Sequence, residues 1–149
     1  MSRAVERPDF VPLIALATKA GRALQADMVV QSNRRGYPEI QQSHNAIFAT
    51  LPPEGARAAD MAARFGITRQ SMGEVIRDLA GLGIVEMVPD PSDGRAKIVR
   101  FTEYGAKCAQ QGFNYILELD QTLRDKFGDE AVDATHRVLA GVLELIGEE

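Results

Sequence analysis

The fold class this sequence predicts is mainly α with a small β-hairpin, and three observations carry that prediction. Apolar residues recur at helical spacing over most of the 149-residue chain. Over residues 59–79, the run A-D-M-A-A-R-F-G-I-T-R-Q-S-M-G-E-V-I-R-D-L places Met61, Phe65, Ile67, Met72 and Val75 on the inner faces of two short helices. Ala62 falls where those helices touch, and Gly66 lies in the turn, where a tight connection favours a residue that tolerates positive φ. Beyond them, two β-prone runs at residues 84–88 and 97–101 flank Pro89-Asp90-Pro91-Ser92-Asp93-Gly94-Arg95-Ala96, which reads as a hairpin with a long, turn-rich tip.

The remaining elements follow in order. From Asp9 to Ser32, Phe10, Leu13, Ile14, Ala17, Leu24 and Met28 repeat at helical spacing, and Arg34-Arg35-Gly36 ends the run. Pro38 can open a second helix in which Ile40, His44, Ile47, Phe48 and Leu51 share a face until Pro52-Pro53 stops it. After the hairpin, Thr102 is the predicted N-cap of a long helix through Phe113, Ile116, Leu123 and Phe127. Asp129 is the predicted N-cap of a last helix through Val132, Leu139, Leu143 and Ile146.

A helix-turn-helix held against a core presents its second helix to a DNA groove, and a hairpin directly after it acts as a wing. The winged helix-turn-helix lobe is assigned to residues 38–101, within one domain spanning 1–149. Such a lobe closes its own core with three helices and a hairpin. The apolar stripes of residues 9–32 and 102–147 are therefore in surplus, and the simplest outlet is a second copy of the chain. Terminal helices packed about a two-fold axis would bury these stripes and space two recognition helices for successive major grooves.

The net charge of −4 looks adverse for a nucleic-acid binder until it is divided along the chain. Residues 57–100 carry seven basic side chains against six acidic ones, giving +1. Residues 1–56 also carry +1 and residues 101–149 carry −6, so the acidity belongs to the C-terminal helices. A nearly neutral but Arg-bearing centre predicts weak non-specific binding and dependence on specific contacts. Lys19, Arg22 and Asp27 interrupt the first hydrophobic region, well short of the ~18 apolar residues of a membrane span. The N-terminus lacks the apolar core and cleavage site of a secretory signal, so a cytoplasmic address is expected. No metal-ligand spacing, phosphate loop or nucleophile turn surrounds His44, Cys108 and His136, so neither an enzyme nor a cofactor is expected. Lone Cys108 reads as a packing residue before it reads as an oxidant sensor.

With these parts in order, the chain resembles the MarR family of transcriptional regulators over nearly its whole length. The most specific match is D-P-S-D-G-R-A-K-I-V-R-F-T-E-Y-G, in which Asp93, Arg95, Phe101, Thr102 and Gly105 fall on the family's wing pattern. Many relatives carry a second Arg where this chain has Gly94. The resemblance implies a homodimer that represses, or less often activates, promoters through palindromic sites and is often tuned by a small aromatic or phenolic ligand.

The recognition helix is legible without that resemblance. With Thr68 as N-cap, steps of about 100° put Met72, Val75, Ile76 and Leu79 on one side and Gln70, Gly73, Glu74 and Arg77 on the other, with Arg69 and Ser71 flanking the entry. Gln70 suits adenine, Arg69 or Arg77 a guanine or a phosphate, and Ser71 a phosphate near the helix N-terminus. Gly73 permits close approach of backbone to DNA. On the wing, Arg95 suits the narrow, electronegative minor groove, with Asp93 orienting it or fixing the turn. Lys97 on the hairpin, and Arg57 and Arg64 near the ends of the first short helix, are candidate phosphate contacts. An effector site is expected beside Ile40, His44, Ile47 and Phe48, where one ionisable group stands in an apolar wall; a hydrogen-bonded core histidine is the competing reading of the same pattern. A winged helix used for protein or RNA contact is the alternative to DNA binding.

Overall fold

The computed structural model describes residues 4–147. The chain divides into two compact parts, Met1–Ala109 and Gln110–Glu149, with one long helix running from the first into the second.

In the first part, α1 spans Leu13–Arg34. It starts later than the periodicity suggests and leaves Phe10 outside. The cause is Pro12: it takes the N-cap position with φ −64° and ψ 152°, and the residue before a proline is steered away from helical backbone. The second predicted helix shrinks more. Residues 38–41 form a loop, tied down by Asn33, whose Nδ2 donates to the carbonyls of Tyr37 and Ile40 at 2.9 and 3.1 Å. A 3-10 turn follows at Gln42–His44, and α2 is only Asn45–Phe48.

The helix-turn-helix forms as the sequence predicts. Helix α3 spans Ala58–Phe65 and ends on Gly66 at φ 77°; α4 spans Arg69–Gly81 and starts on Thr68, whose hydroxyl accepts the Ser71 N–H at 3.0 Å. Met61, Ala62, Met72, Ile76 and Leu79 are buried and form the core with Ile47, Ile84, Val85 and Val99. Phe65 is the exception among the expected inner-face residues. It lies in the last turn of α3 and is 38% exposed.

The hairpin is tighter than expected. Strand β1 (Val85–Asp90) pairs antiparallel with β2 (Asp93–Phe101), and the register runs from Val85 opposite Phe101 to Asp90 opposite Asp93. The tip is thus Pro91-Ser92, and the extra residues Gly94–Ala96 are taken up by an irregularity in β2 rather than by a long loop. A further strip of chain joins the sheet: Ala56 and Val99 exchange backbone hydrogen bonds of 3.0 and 2.9 Å. Gly55 makes this approach possible. It sits at φ 89°, and a Cβ there would lie 2.6 Å from Ile98 Cγ2 and 2.8 Å from the Val99 carbonyl oxygen.

Helix α5 (Glu103–Phe127) springs directly from the wing. Thr102 caps it by accepting the Gly105 N–H at 2.9 Å, while its own hydroxyl donates to the Gly83 carbonyl at 2.5 Å. Gly105 lies so close to β1 that a Cβ would fall 1.7 Å from the Ile84 carbonyl oxygen. The Thr102 and Gly105 of the wing pattern therefore have one structural task, seating α5 against the start of β1. In the second part of the chain, α6 spans Asp129–Ile146. Its N-cap is Gly128 at φ 85°, one residue before the predicted Asp129, whose carboxylate instead accepts from Arg124 at 3.3 Å. Arg124 also reaches Asp120 at 2.8 Å and Asp133 at 2.9 Å, latching the α5–α6 turn.

Candidate nucleic-acid interface

Helix α4 buries Met72, Ile76 and Leu79 and leaves Arg69, Gln70, Ser71, Glu74 and Arg77 exposed. Ile67 and Val75 are half-buried. The division follows from the 3.6-residue period, so the six predicted contact residues of this helix share its outer surface with Gly73 at the centre. Ser71 is partly engaged, since its hydroxyl accepts from the Thr68 hydroxyl at 2.9 Å. A Cβ at Gly73 would meet nothing nearer than Arg77 Nη1 at 3.5 Å, an ordinary contact. The free protein gives no steric reason for glycine there.

The cations of the lobe separate into two groups. Among the described residues, Arg64, Arg69, Arg77, Arg95 and Lys97 are exposed and make no ion pair. Arg57 and Arg100, by contrast, are spent inside the lobe. Arg100 on β2 reaches Glu86 on β1 at 2.8 Å, a cross-strand pair exposed on both sides and worth little in stability. Arg57, expected as a phosphate contact, points into the wing instead: its Nε and Nη2 both donate to Asp90 Oδ2, at 2.9 and 2.6 Å.

Asp90 is the hub of the wing tip and is 7% exposed. Its other oxygen accepts from the Ser92 backbone N–H at 2.9 Å and the Ser92 hydroxyl at 2.8 Å. The Ser92 amide, then its hydroxyl, then Arg57 stabilise the carboxylate and hold its pKa down to about 2. Asp93 fixes the turn rather than the guanidinium of Arg95, since its Oδ1 accepts the Arg95 backbone N–H at 3.1 Å. Arg95 is left exposed at the tip. Sequence reading missed the Arg57–Asp90 pair because its members are 33 residues apart and neither carries a local signature of the other.

His44 lies in the core at 1% exposure. Its Nδ1 accepts the Gln41 backbone N–H at 3.0 Å, so a neutral ring carries its proton on Nε2 and donates it to Asp78 Oδ2 at 2.5 Å. Both ring nitrogens are occupied, which is the hydrogen-bonded core histidine of the competing reading, and Ile47 beside it is fully buried. Of the four residues expected to touch an effector, Ile40 lines an open cleft of about 610 Å³ with Asn33, Glu39, Gln41, Asp78 and Leu82. Phe48 is half-buried and stacks on Phe101 with ring centroids 5.9 Å apart. Cys108 is 3% exposed, and burial pushes its thiol up to about 11, the environment of a packing residue rather than a reactive one.

Residues 48–105, from α2 through the start of α5, match the family described as the winged helix DNA-binding domain. The likeness to solved structures extends over the terminal helices as well. The structure of a MarR family transcription regulator aligns over 90% of this chain and 87% of its own, with a TM-score of 0.77 at 18% identity. The chain has the MarR fold. Two further structures share it. The PcaV transcriptional regulator of Streptomyces coelicolor, solved with its natural ligand, aligns over 92% of this chain and 98% of its own at TM-score 0.62 and 22% identity. FabT of Streptococcus pneumoniae, solved with DNA, aligns over 91% and 98% at TM-score 0.72 and 13% identity. Among curated proteins no sequence match reaches significance. The winged-helix resemblance read from the sequence is thus upheld, and the first two of these structural neighbours are transcription regulators. No helix among the described residues is long and apolar enough to cross a membrane.

Proposed function

We propose that this chain is a cytoplasmic, sequence-specific DNA-binding regulator, a repressor, that acts as a homodimer on palindromic sites. The observation that carries the reading is the split among its basic residues. Five unpaired cations, Arg64, Arg69, Arg77, Arg95 and Lys97, stand exposed on the helix-turn-helix and wing beside Gln70, whereas the remaining lobe cations are tied up internally. Unpaired guanidinium and ammonium groups on a recognition helix and a hairpin supply phosphate and groove contacts; Gln70 supplies base choice. FabT bound to DNA gives the fold a precedent for this use. The dimer is supported by the exposed Phe10, Leu13, Ile14 and Leu16 at one end of the chain and Leu139, Leu143, Leu145 and Ile146 at the other.

An effector fits the same scheme through the cleft at Ile40. Asp78 belongs to α4, so a ligand engaging it acts on the recognition helix directly. Glu39 and Asp78 line the cleft, which favours a phenolic O–H donor over an aromatic carboxylate. Only a ligand with different affinities for the two DNA-binding states changes operator affinity, and a difference of about 1–3 kcal/mol changes it about 5- to 150-fold.

The test is to select genomic fragments with the purified protein and sequence them. The expected result is a palindrome with half-sites about 10 bp apart, centre to centre, bound in a salt-sensitive manner. Recovery of no common motif, or tight binding to RNA instead, overturns the reading. Titrating the selected duplex complex with neutral phenols and with salicylate then separates the two effector types.

A further inference from the structure

We propose that Arg57 is a positioning residue for the wing, holding Arg95 in place for DNA through Asp90 and making no DNA contact of its own. The inference rests on the DNA-binding reading above. Arg57 occupies the N-cap position of α3, where it makes no side-chain cap, so its guanidinium is free to reach across to β1. Two of its nitrogens converge on Asp90 Oδ2, and its Nη2 also lies 3.9 Å from Asp93 Oδ2. Asp90 in turn fastens Ser92 by backbone and hydroxyl, and Asp93 fastens the Arg95 backbone.

The chain therefore runs from the first residue before α3 to the tip of the hairpin without a gap. One residue earlier, Ala56 is paired with Val99, and before it Gly55 packs flat against Ile98 and Val99. The base of the wing is thus stitched to the helix-turn-helix through backbone, and its tip is stitched through Arg57. A hairpin held only at its base would sweep an arc. The guanidinium clamp removes that freedom before binding, so wing and recognition helix meet the two grooves without a separate ordering cost.

Clamp and phosphate contact predict opposite signs for Asp90. If Arg57 touches a phosphate, removing the neighbouring carboxylate in Asp90→Asn strengthens DNA binding. If Arg57 acts as a clamp, Asp90→Asn weakens binding as Arg57→Ala does, by about tenfold, and the number of released counterions read from the salt slope barely moves. A cycle with Arg95→Ala separates the two roles again. Under the clamp, Arg57→Ala costs little once Arg95 is gone. An independent phosphate contact adds its full loss to that of Arg95→Ala and lowers the slope by about one further unit.

The measurements are duplex affinity at several salt concentrations, and amide hydrogen exchange of the free protein. Faster exchange at Ser92 and Arg95 in both Arg57→Ala and Asp90→Asn, with unchanged exchange at Met72 and Leu79, is expected. Arg57→Lys keeps the charge but loses the fork and should recover only part of the affinity. Tighter binding by Asp90→Asn, additive losses in the cycle, or unaltered exchange at the wing tip would falsify the proposal. If the parent binds no selected duplex, the DNA-binding reading fails on its own, and the exchange comparison still decides whether the clamp exists.

Discussion

The winged-helix lobe and the terminal helices are built from similar proportions of apolar residues and use them in opposite ways. In the lobe, Ile47, Met61, Met72, Leu79, Ile84 and Val99 are almost wholly buried, and buried polar groups such as His44 and Asp90 have their partners. On α1 and α6, Ile14 is 77% exposed and Ile146 64% exposed, and apolar neighbours on the same helices stand open beside them. The lobe buries its apolar side chains within the single chain, and α1 and α6 leave theirs open. A surface of this kind is tolerated when a second copy covers it, and stable specific interfaces bury roughly 1,200–2,000 Å² in total.

The sharpest attack on the lobe's completeness is Gly105→Ala. The new Cβ would sit 1.7 Å from one backbone atom and 2.6 Å from the next, so β1 or the start of α5 must move. A destabilisation of about 3 kcal/mol or more is expected, read by urea unfolding, with the helix content of the C-terminal segment the least affected. Normal stability in this variant means that α5 does not leave the wing as described.

The terminal helices should respond differently. Leu139→Glu with Leu143→Glu alters two side chains that are 45% and 49% exposed in the single chain. The fold of the lobe should survive, while light scattering at about 10 μM shifts from dimer to monomer and operator affinity drops with the loss of the second half-site. A parent protein that is already monomeric at that concentration removes the basis for the contrast.

How far each region was legible in the sequence follows the same line. The helix-turn-helix was readable because its signals are local: a 3.6-residue period, Thr68 as a cap, Gly66 at the turn. The outward set on α4 came with it, since burying one side of a helix defines the other. The predicted second helix runs too long because the period of Ile40, His44 and Ile47 continues across a loop that is held by distant partners, among them Asn33 of α1. The Pro, Ser, Asp and Gly content of the hairpin tip predicts a long loop, whereas Asp90 and its hydrogen bonds to Ser92 close it in two residues. Charge and position alone point Arg57 toward a phosphate. Its partner lies in another element, and no spacing rule announces such a pair.

The clamp also gives the lobe an acid dependence that the terminal helices need not share. Asp90 titrates near 2 when folded, against an ordinary 3.8. A depressed carboxylate contributes its stability in full above its unfolded value and loses it as pH falls through the folded one. The lobe should therefore hold steady from pH 8 to about 5 on this account and weaken between about 4 and 2. Asp90→Asn should lower stability at pH 7 and flatten that acid limb, as followed by thermal melts across the range. An acid limb identical to that of the parent assigns it to other carboxylates.

The smallest effect separates structure from function within α4 itself. Gly55 and Gly105 are glycines because a Cβ would strike backbone, but a Cβ at Gly73 meets only the far end of Arg77 at an ordinary 3.5 Å. Glycine inside a helix costs about 1 kcal/mol relative to alanine, so Gly73→Ala should stabilise the free protein by up to that amount. Glycine at this position answers no steric need within the free chain. On the exposed surface between Gln70, Glu74 and Arg77, the candidate source of such a need is DNA backbone or a base edge brought against the helix. Gly73→Ala should accordingly raise the melting temperature and lower operator affinity in the same molecule. A variant that gains stability and binds as tightly as the parent would show that this face of α4 does not approach the groove closely. Contact would then rest with the longer side chains on either side of it.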